Sequence, residues 1–127
     1  MRALGLALLL LLAAGCGTTQ IYDGPKKAAH EVAILRTNAG EIAFVTTWIG
    51  QIDGKELVAA YSEFEVLPGR HSLRVLLKAG ILGASRNFSI DAKAGHTYRV
   101  KGIFSRSSAY AWIEDESTGE IVAGEKP

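Results

Sequence analysis

The stretch Phe64-Glu65-Val66-Leu67-Pro68-Gly69-Arg70-His71-Ser72-Leu73-Arg74-Val75-Leu76-Leu77 decides the fold. Phe64 and Val66 alternate with Glu63 and Glu65. After Pro68-Gly69, Leu73, Val75 and Leu77 share one face while Ser72 and Arg74 share the other. A period of two marks a strand with one buried face, because successive side chains on a strand point to opposite sides. Proline presets the φ angle of a turn, and a following glycine accepts φ values closed to other residues. The stretch therefore reads as strand, turn, strand.

The same punctuation extends in both directions. Upstream, Glu31 to Thr37 and Glu41 to Ile52 are rich in Ile, Val, Phe, Thr and Trp, with Asn38-Ala39-Gly40 expected as the turn between them. Asp53-Gly54 is a hairpin signal, since both central residues of a type I′ turn need positive φ. Downstream, Phe88 and Ile90 face away from Asn87, Ser89 and Asp91. After Ala94-Gly95, Tyr98 and Val100 face away from Arg99 and Lys101. Ala109 to Asp115 and Glu120 to Ala123 flank Ser117-Thr118-Gly119, a second hairpin. About eight short strands at this spacing predict an all-β domain over 29–127. The expected form is a small antiparallel β-sandwich, immunoglobulin- or prealbumin-like, with a small barrel as the alternative. Lys26 to Leu35 and Lys55 to Tyr61 are rich in Lys, Ala, Glu and Leu and are also compatible with short helices; Gly80 to Gly83 fits either reading.

Composition narrows the functional classes. The chain has 127 residues, room for one domain. Removing Arg2 with the leader from the 14 basic residues leaves 13 against 13 acidic ones, a formal charge of zero. Nucleic-acid binding needs a basic surface to displace counterions, so no nucleic-acid partner is expected. Nor is there a polybasic signal for anionic lipid. The single cysteine, Cys16, excludes an intramolecular disulfide.

At the N-terminus, Arg2 is a short positive region and Ala3 to Leu12 an apolar run, well short of the ~20 residues that span a bilayer as a helix. A cleavable leader over 1–15 fits this pattern. The run ends in Leu12-Ala13-Ala14-Gly15-Cys16, which resembles the lipobox of bacterial lipoproteins, departing from it at Ala13, where Leu is commonest. The resemblance implies that Cys16 takes a diacylglyceryl group on its sulfur and becomes the first residue of the mature protein, its freed amine open to a further acyl chain such as palmitate. One acyl chain anchors weakly, at ~0.8 kcal/mol per buried CH₂, whereas two or three hold durably. Gly17 stands where Asp favours inner-membrane retention, which implies the outer membrane. Residues 16–28 are expected to form a lipid-anchored tether. Its polar stretch 17–27, GTTQIYDGPKK, reads as a linker reaching ~35 Å when extended.

Ile52-Asp53-Gly54-Lys55 with Phe64 to Val75 resembles PEGA-type small envelope sandwiches, in which an Asp-Gly turn ends one strand and a Pro-Gly turn introduces another. Ala94-Gly95-His96-Thr97-Tyr98-Arg99-Val100 is similar to the aromatic strand that follows a glycine turn in many bacterial lipoproteins. The resemblance covers Glu31 to Val100 and implies fold more than function.

Candidate site residues are few. His30, His71 and His96 match no metal-ligand spacing; a metal site would need His71 and His96 together with a carboxylate such as Asp91. They read as satisfied or exposed, and replacing His71 or His96 is expected to leave folding intact. No serine lies in a Gly-x-Ser-x-Gly elbow, so no catalytic residue is assigned. Glu63 and Glu65, and the run Glu114-Asp115-Glu116, read as solvated charge. Trp48, Tyr110 and Trp112 are the candidate interaction surface if they face outward, core packing being their default reading. The expectation is a non-enzymatic lipoprotein of the outer membrane facing the periplasm, binding membrane lipid through acylated Cys16, without cofactor or bound metal. It would bind an envelope protein or cell-wall partner, or serve structurally. An accessory subunit of an envelope transport or secretion complex, and a small hydrolase or metal-binding protein, are the alternatives.

Overall fold

The computed structural model describes residues 18–37, 39–42, 45–58, 62–106 and 108–127, and of 39–42 the backbone alone. The leader, Cys16 and Gly17 lie outside the described residues. Two sheets face each other. The first contains β1 (Thr19–Gln20), β2 (Ala33–Arg36), β6 (Glu63–Val66), β9 (Thr97–Ser105), β10 (Ser108–Asp115) and β11 (Ile121–Gly124), in the order β1-β6-β2-β9-β10-β11. In the second, β3 (Ala39–Ile42), β4 (Val45–Ile52), β7 (Gly69–Ala79) and β8 (Leu82–Ala92) run in that order, with β5 (Lys55–Glu56) paired to β4. The molecule is the all-β sandwich that the alternation predicts. Its ladders are antiparallel except that β2 runs parallel to β9, and β1 parallel to β6.

Each sheet contributes one apolar face to the core. Ala33, Leu35, Phe64, Val66, Tyr98, Val100, Ala111 and Ile113 come from the six-stranded sheet; Val45, Ile49, Ile52, Leu73, Val75, Leu77, Ile90 and Ala92 come from the other. In β4 the inward positions run 45, 47, 49 and then 52, because the register against β7 shifts between Ile49 and Gln51. The extra residue at this bulge returns Ile52 to the core face, which strict alternation would deny it. The sheets approach closely where Gly102 of β9 meets Leu77 and Thr47. A Cβ at 102 would lie 3.0 Å from both Leu77 Cγ and Thr47 Cγ2, so only a hydrogen fits.

The turns follow their residue types, with one displacement. Asp53 (φ 52°) and Gly54 (φ 80°) form the two-residue hairpin of β4 and β5, with Ile52 opposite Lys55. Ser117-Thr118-Gly119 closes β10 onto β11. Pro68-Gly69 joins two sheets rather than two neighbours, carrying the chain from β6 to β7. The turn expected at Asn38-Ala39-Gly40 is displaced: Ala39 and Gly40 belong to β3, and the hairpin reverses between Ile42 and Val45. That signal marks the crossing between sheets, where a break in pairing needs the same residue types as a hairpin. Asn38 and residues 43–44 lie outside the described residues.

The two helix-compatible segments do not become α-helices where they are described. Ala29–Glu31 makes one 3-10 turn, after which Ala33 and Leu35 alternate into the core. Lys55–Glu56 is drawn into the Asp-Gly hairpin. Residues 59–61 lie outside the described residues. Gly80-Ile81 closes the β7–β8 hairpin, with Ala79 opposite Leu82.

The stretch read as a free linker is docked from Thr19 onward. β1 pairs with β6, and Ile21 packs against the core. The linker reading failed because a two-residue parallel strand carries no periodicity.

Leu73→Ala is expected to cost ~2–5 kcal/mol in a denaturant titration, since it empties a buried site between sheets. The neighbouring Arg74→Ala, on the outer face, should stay within about 0.5 kcal/mol of the parent. Gly54→Val is expected to cost about 1–2 kcal/mol, because a β-branched residue is strained at positive φ.

Candidate functional site

One end of the sandwich gathers most of its organised polar chemistry. β4, β6, β8 and β10 end there, β2, β7 and β9 begin there, and residues 21–31 cross it on their way from β1 to β2.

His71 stands at the start of β7, beside the Asp53-Gly54 turn. Its Nδ1 is 2.6 Å from Asp53 Oδ2 and its Nε2 is 2.6 Å from the carbonyl oxygen of Leu67. The ring is thus held by both of its nitrogens, one on the Asp53-Gly54 turn and the other on the chain leading into β7. Asp53 Oδ1 accepts the Ser72 amide at 2.9 Å, and the Asp53 amide donates to the Ser72 carbonyl at 2.8 Å. Burial pushes the Asp53 carboxyl upward as the largest single effect. The His71 hydrogen bond, the Ser72 amide and the His71 charge together outweigh it, leaving the carboxyl below its ordinary value.

A second pair is built the same way. His96 Nδ1 is 2.6 Å from Asp115 Oδ2, while Asp115 Oδ1 accepts the Ser117 amide at 2.8 Å. Asp115 is only 4% exposed. Burial again acts upward and is overcome by the His96 hydrogen bond, the Ser117 amide, the His96 charge and the Ser117 hydroxyl, so the net displacement is downward. His96 stacks on Tyr98 at 6.3 Å between centroids, and the Tyr98 hydroxyl accepts the Lys93 amide at 2.9 Å.

A third cluster involves the N-terminal segment. Glu65 of β6 is 5% exposed. It accepts the Tyr22 hydroxyl at 3.0 Å and the Lys26 ammonium at 2.8 Å, and its hydrogen bond holds the Lys26 amine above its usual range. Between this segment and the His71–Asp53 pair lies a cleft of about 400 Å³ lined by Ile21, Tyr22, Val66 and Leu67 with Asp53 and His71.

These placements revise several expectations. His71 and His96 do lie at one end, but each is taken by its own aspartate and not by the other. Among the described residues no group of three or more His, Cys, Asp or Glu side chains is placed to hold a metal ion. Asp91 lies across from Arg70 in the β7–β8 ladder and pairs with neither histidine. Because each histidine ties one turn to a strand, replacing either one is expected to loosen the fold, contrary to the sequence expectation. His30 is exposed, 3.9 Å from Glu31. Glu65, Glu114 and Asp115 are not solvated charges. Glu63 pairs with Arg36 at 2.7 Å; Glu116 joins Arg36 and Arg99 at 3.4 and 2.6 Å; Glu114 joins Lys101 at 3.0 Å. Lys101, then Trp112, bonded to Glu114, hold its carboxyl low against the effect of burial.

The aromatic candidates do not share a surface. Trp48 is half-buried on the outer face of the five-stranded sheet, opposite Leu76. Tyr110 and Trp112 lie on the outer face of the other sheet, and Trp112 is only 5% exposed. Its indole N–H donates to Glu114 at 3.0 Å, and the Lys126 ammonium sits 5.9 Å over its ring. Tyr110, half-buried, borders a shallow slot with Arg86 and Phe88. The polar clusters were missed because each joins residues far apart in sequence, and no spacing rule announces them. The one available signal was turn chemistry, since Asp53 and Asp115 each stand where a turn leaves amides to cap.

No protein-family model, curated protein or solved structure compared with the chain matches it.

Asp115→Ala is expected to destabilise by about 1–3 kcal/mol near neutral pH, leaving His96 and the Ser117 amide without their acceptor. A carboxyl whose folded value is lowered stabilises above its unfolded value, and that contribution is lost as pH falls through the folded one. The charge-dependent part of the difference should therefore be constant above the ordinary value of 3.8 and vanish below it. Urea titrations of parent and variant across that range measure it.

Proposed function

We propose that this protein is a lipid-anchored lipoprotein of the bacterial cell envelope, held in the outer membrane by acylated Cys16 with its sandwich in the periplasm. Its role in this reading is non-catalytic, through binding or structural contact with an envelope protein or the cell wall. The observation that carries it is the apolar run Ala3 to Leu12 ending in Leu12-Ala13-Ala14-Gly15-Cys16, with the chain's single thiol at the lipid-accepting place. The polar clusters support a structural part for the histidines: His71 and His96 each bond the aspartate of a turn. No helix among the described residues is long and apolar enough to cross a membrane.

The docking of β1 changes the mechanical picture of the anchor. With Thr19 paired to Phe64, two residues, Gly17 and Thr18, separate the acylated position from the folded sheet, a reach of ~10 Å instead of ~35 Å. A domain on so short a lead stays beside the headgroups and presents a limited set of surfaces to partners.

Cys16→Ser removes the sulfur that takes the diacylglyceryl group, so leader processing and membrane association should both stop. Detergent-phase partitioning and intact mass report the outcome. A serine variant that partitions with membranes at the parental level would sink the lipoprotein reading.

A further inference from the structure

We infer that β8 is the pairing edge of a two-fold dimer, its strand joined antiparallel to β8 of a second copy of this chain. Among the described residues no strand pairs with the far side of β8, since the order β3-β4-β7-β8 ends there. A strand at the end of a sheet keeps a row of N–H and C=O groups pointing outward, a template for another strand. β8 offers a long one. It pairs with β7 at eleven consecutive positions, Leu82–Ala92, without a register shift. At ~3.3 Å per residue this is about 36 Å of regular edge.

The other edges are short or irregular. β1 and β5 have two residues each, β3 and β11 four each. The ladders of β3 and β11 are also broken by register shifts. Exposed edges are ordinarily blunted in this way, or by proline or lysine. The edge strand Leu82-Gly83-Ala84-Ser85-Arg86-Asn87-Phe88-Ser89-Ile90-Asp91-Ala92 contains no proline, no lysine and no bulge. Its one cation, Arg86, is drawn to the other sheet, where it donates to the Ala109 carbonyl at 3.1 Å. The same guanidinium donates to the Ser85 carbonyl at 2.9 Å, which leaves that oxygen a second lone pair for a further donor.

Register selects a second copy as the occupant. Two identical strands meeting antiparallel about an axis normal to the sheet keep their outer faces on one side when the axis passes through a residue. An axis at Asn87, the midpoint of Leu82–Ala92, is the one placement that pairs every position of the edge. It sets Arg86 opposite Phe88, Ser85 opposite Ser89, Ala84 opposite Ile90 and Gly83 opposite Asp91. No like charges meet, and the facing serines can hydrogen-bond across the strands. Moving the axis to residue 86 sets Arg86 against its own copy, and moving it to 88 leaves two positions at the start of each strand unpaired. An interface of this kind uses the same surface on both molecules, so it closes and leaves no long edge exposed.

The pairing stands with or without lipid on Cys16, so its failure and that of the lipoprotein reading are separable. The test uses the full chain, extracted in detergent and oxidised. Asn87→Cys brings two thiols opposite each other across the axis, at the ~5 Å Cα separation that suits a disulfide. Arg74→Cys, directly across the β7–β8 ladder from Asn87, is the control, because three strand spacings, roughly 14 Å, separate it from its copy. The parent, whose single thiol is Cys16, gives the background. Both sites are exposed, so neither change touches the core. N87C should be recovered mostly as a disulfide-linked dimer, and R74C should not rise above background. Asn87→Lys sets two ammonium groups against each other and should raise the dimer dissociation constant, measured by sedimentation, by about fivefold or more. A parent that sediments as a monomer, N87C and R74C linking equally, or N87K pairing as tightly as the parent each overturns the dimer edge.

Discussion

The close approach of the two sheets at Gly102 is the constraint on which the remaining structure depends. Leu77 and Thr47 occupy the space where a side chain at 102 would stand. Sixteen buried apolar side chains, eight from each sheet, interlock around this contact. Interiors of this kind are packed at crystal-like density, so a side chain added at 102 would have to displace Leu77 or Thr47. The bulge in β4 belongs to the same requirement. It leaves Gly50 without a partner in β7 and places Ile52 inside.

Beside this core, one end of the sandwich is closed by charge rather than by further apolar packing. His71 with Asp53, His96 with Asp115, and Glu65 with Tyr22 and Lys26 each bind a turn or a crossing segment to a strand. A carboxylate suits this place because turns expose amides that the ladders leave unpaired, and a carboxylate has lone pairs for an amide and a cation at once. The outer face of the six-stranded sheet repeats the device. Arg36 and Arg99 are cross-strand neighbours of like charge, and Glu116 bridges them. Lys101, Glu114 and Lys126 then cover Trp112, so an aromatic side chain on an outer face is nonetheless buried.

The chain contains exposed features that this internal economy does not use. The isoleucine at the β7–β8 tip makes no contribution to the core. The polar end carries the 400 Å³ cleft and both His–Asp pairs.

By itself, the sequence determined the class of fold, the inward faces and most turns. Alternation of Leu73, Val75 and Leu77, of Phe88 and Ile90, and of Tyr98 and Val100 is local information, carried by the two-residue period of a strand. Asp53-Gly54 and Ser117-Thr118-Gly119 were legible for the same reason, since φ preference belongs to the residue. The leader proposed for residues 1–15 likewise rests on neighbouring residue types. What the tertiary structure alone decided is every pairing between distant segments: β1 on β6, the parallel meeting of β2 with β9, and the partners of Glu65, His71, His96 and Asp115. An outward-facing residue looks the same in sequence whether water or another segment covers it. Glu65 and Trp112 were therefore read as solvated or undecided, until Tyr22, Lys26, Glu114 and Lys126 arrived from 2 to 43 residues away. Burial is a property of what folds over a side chain, and that is settled only when the sheets have assembled.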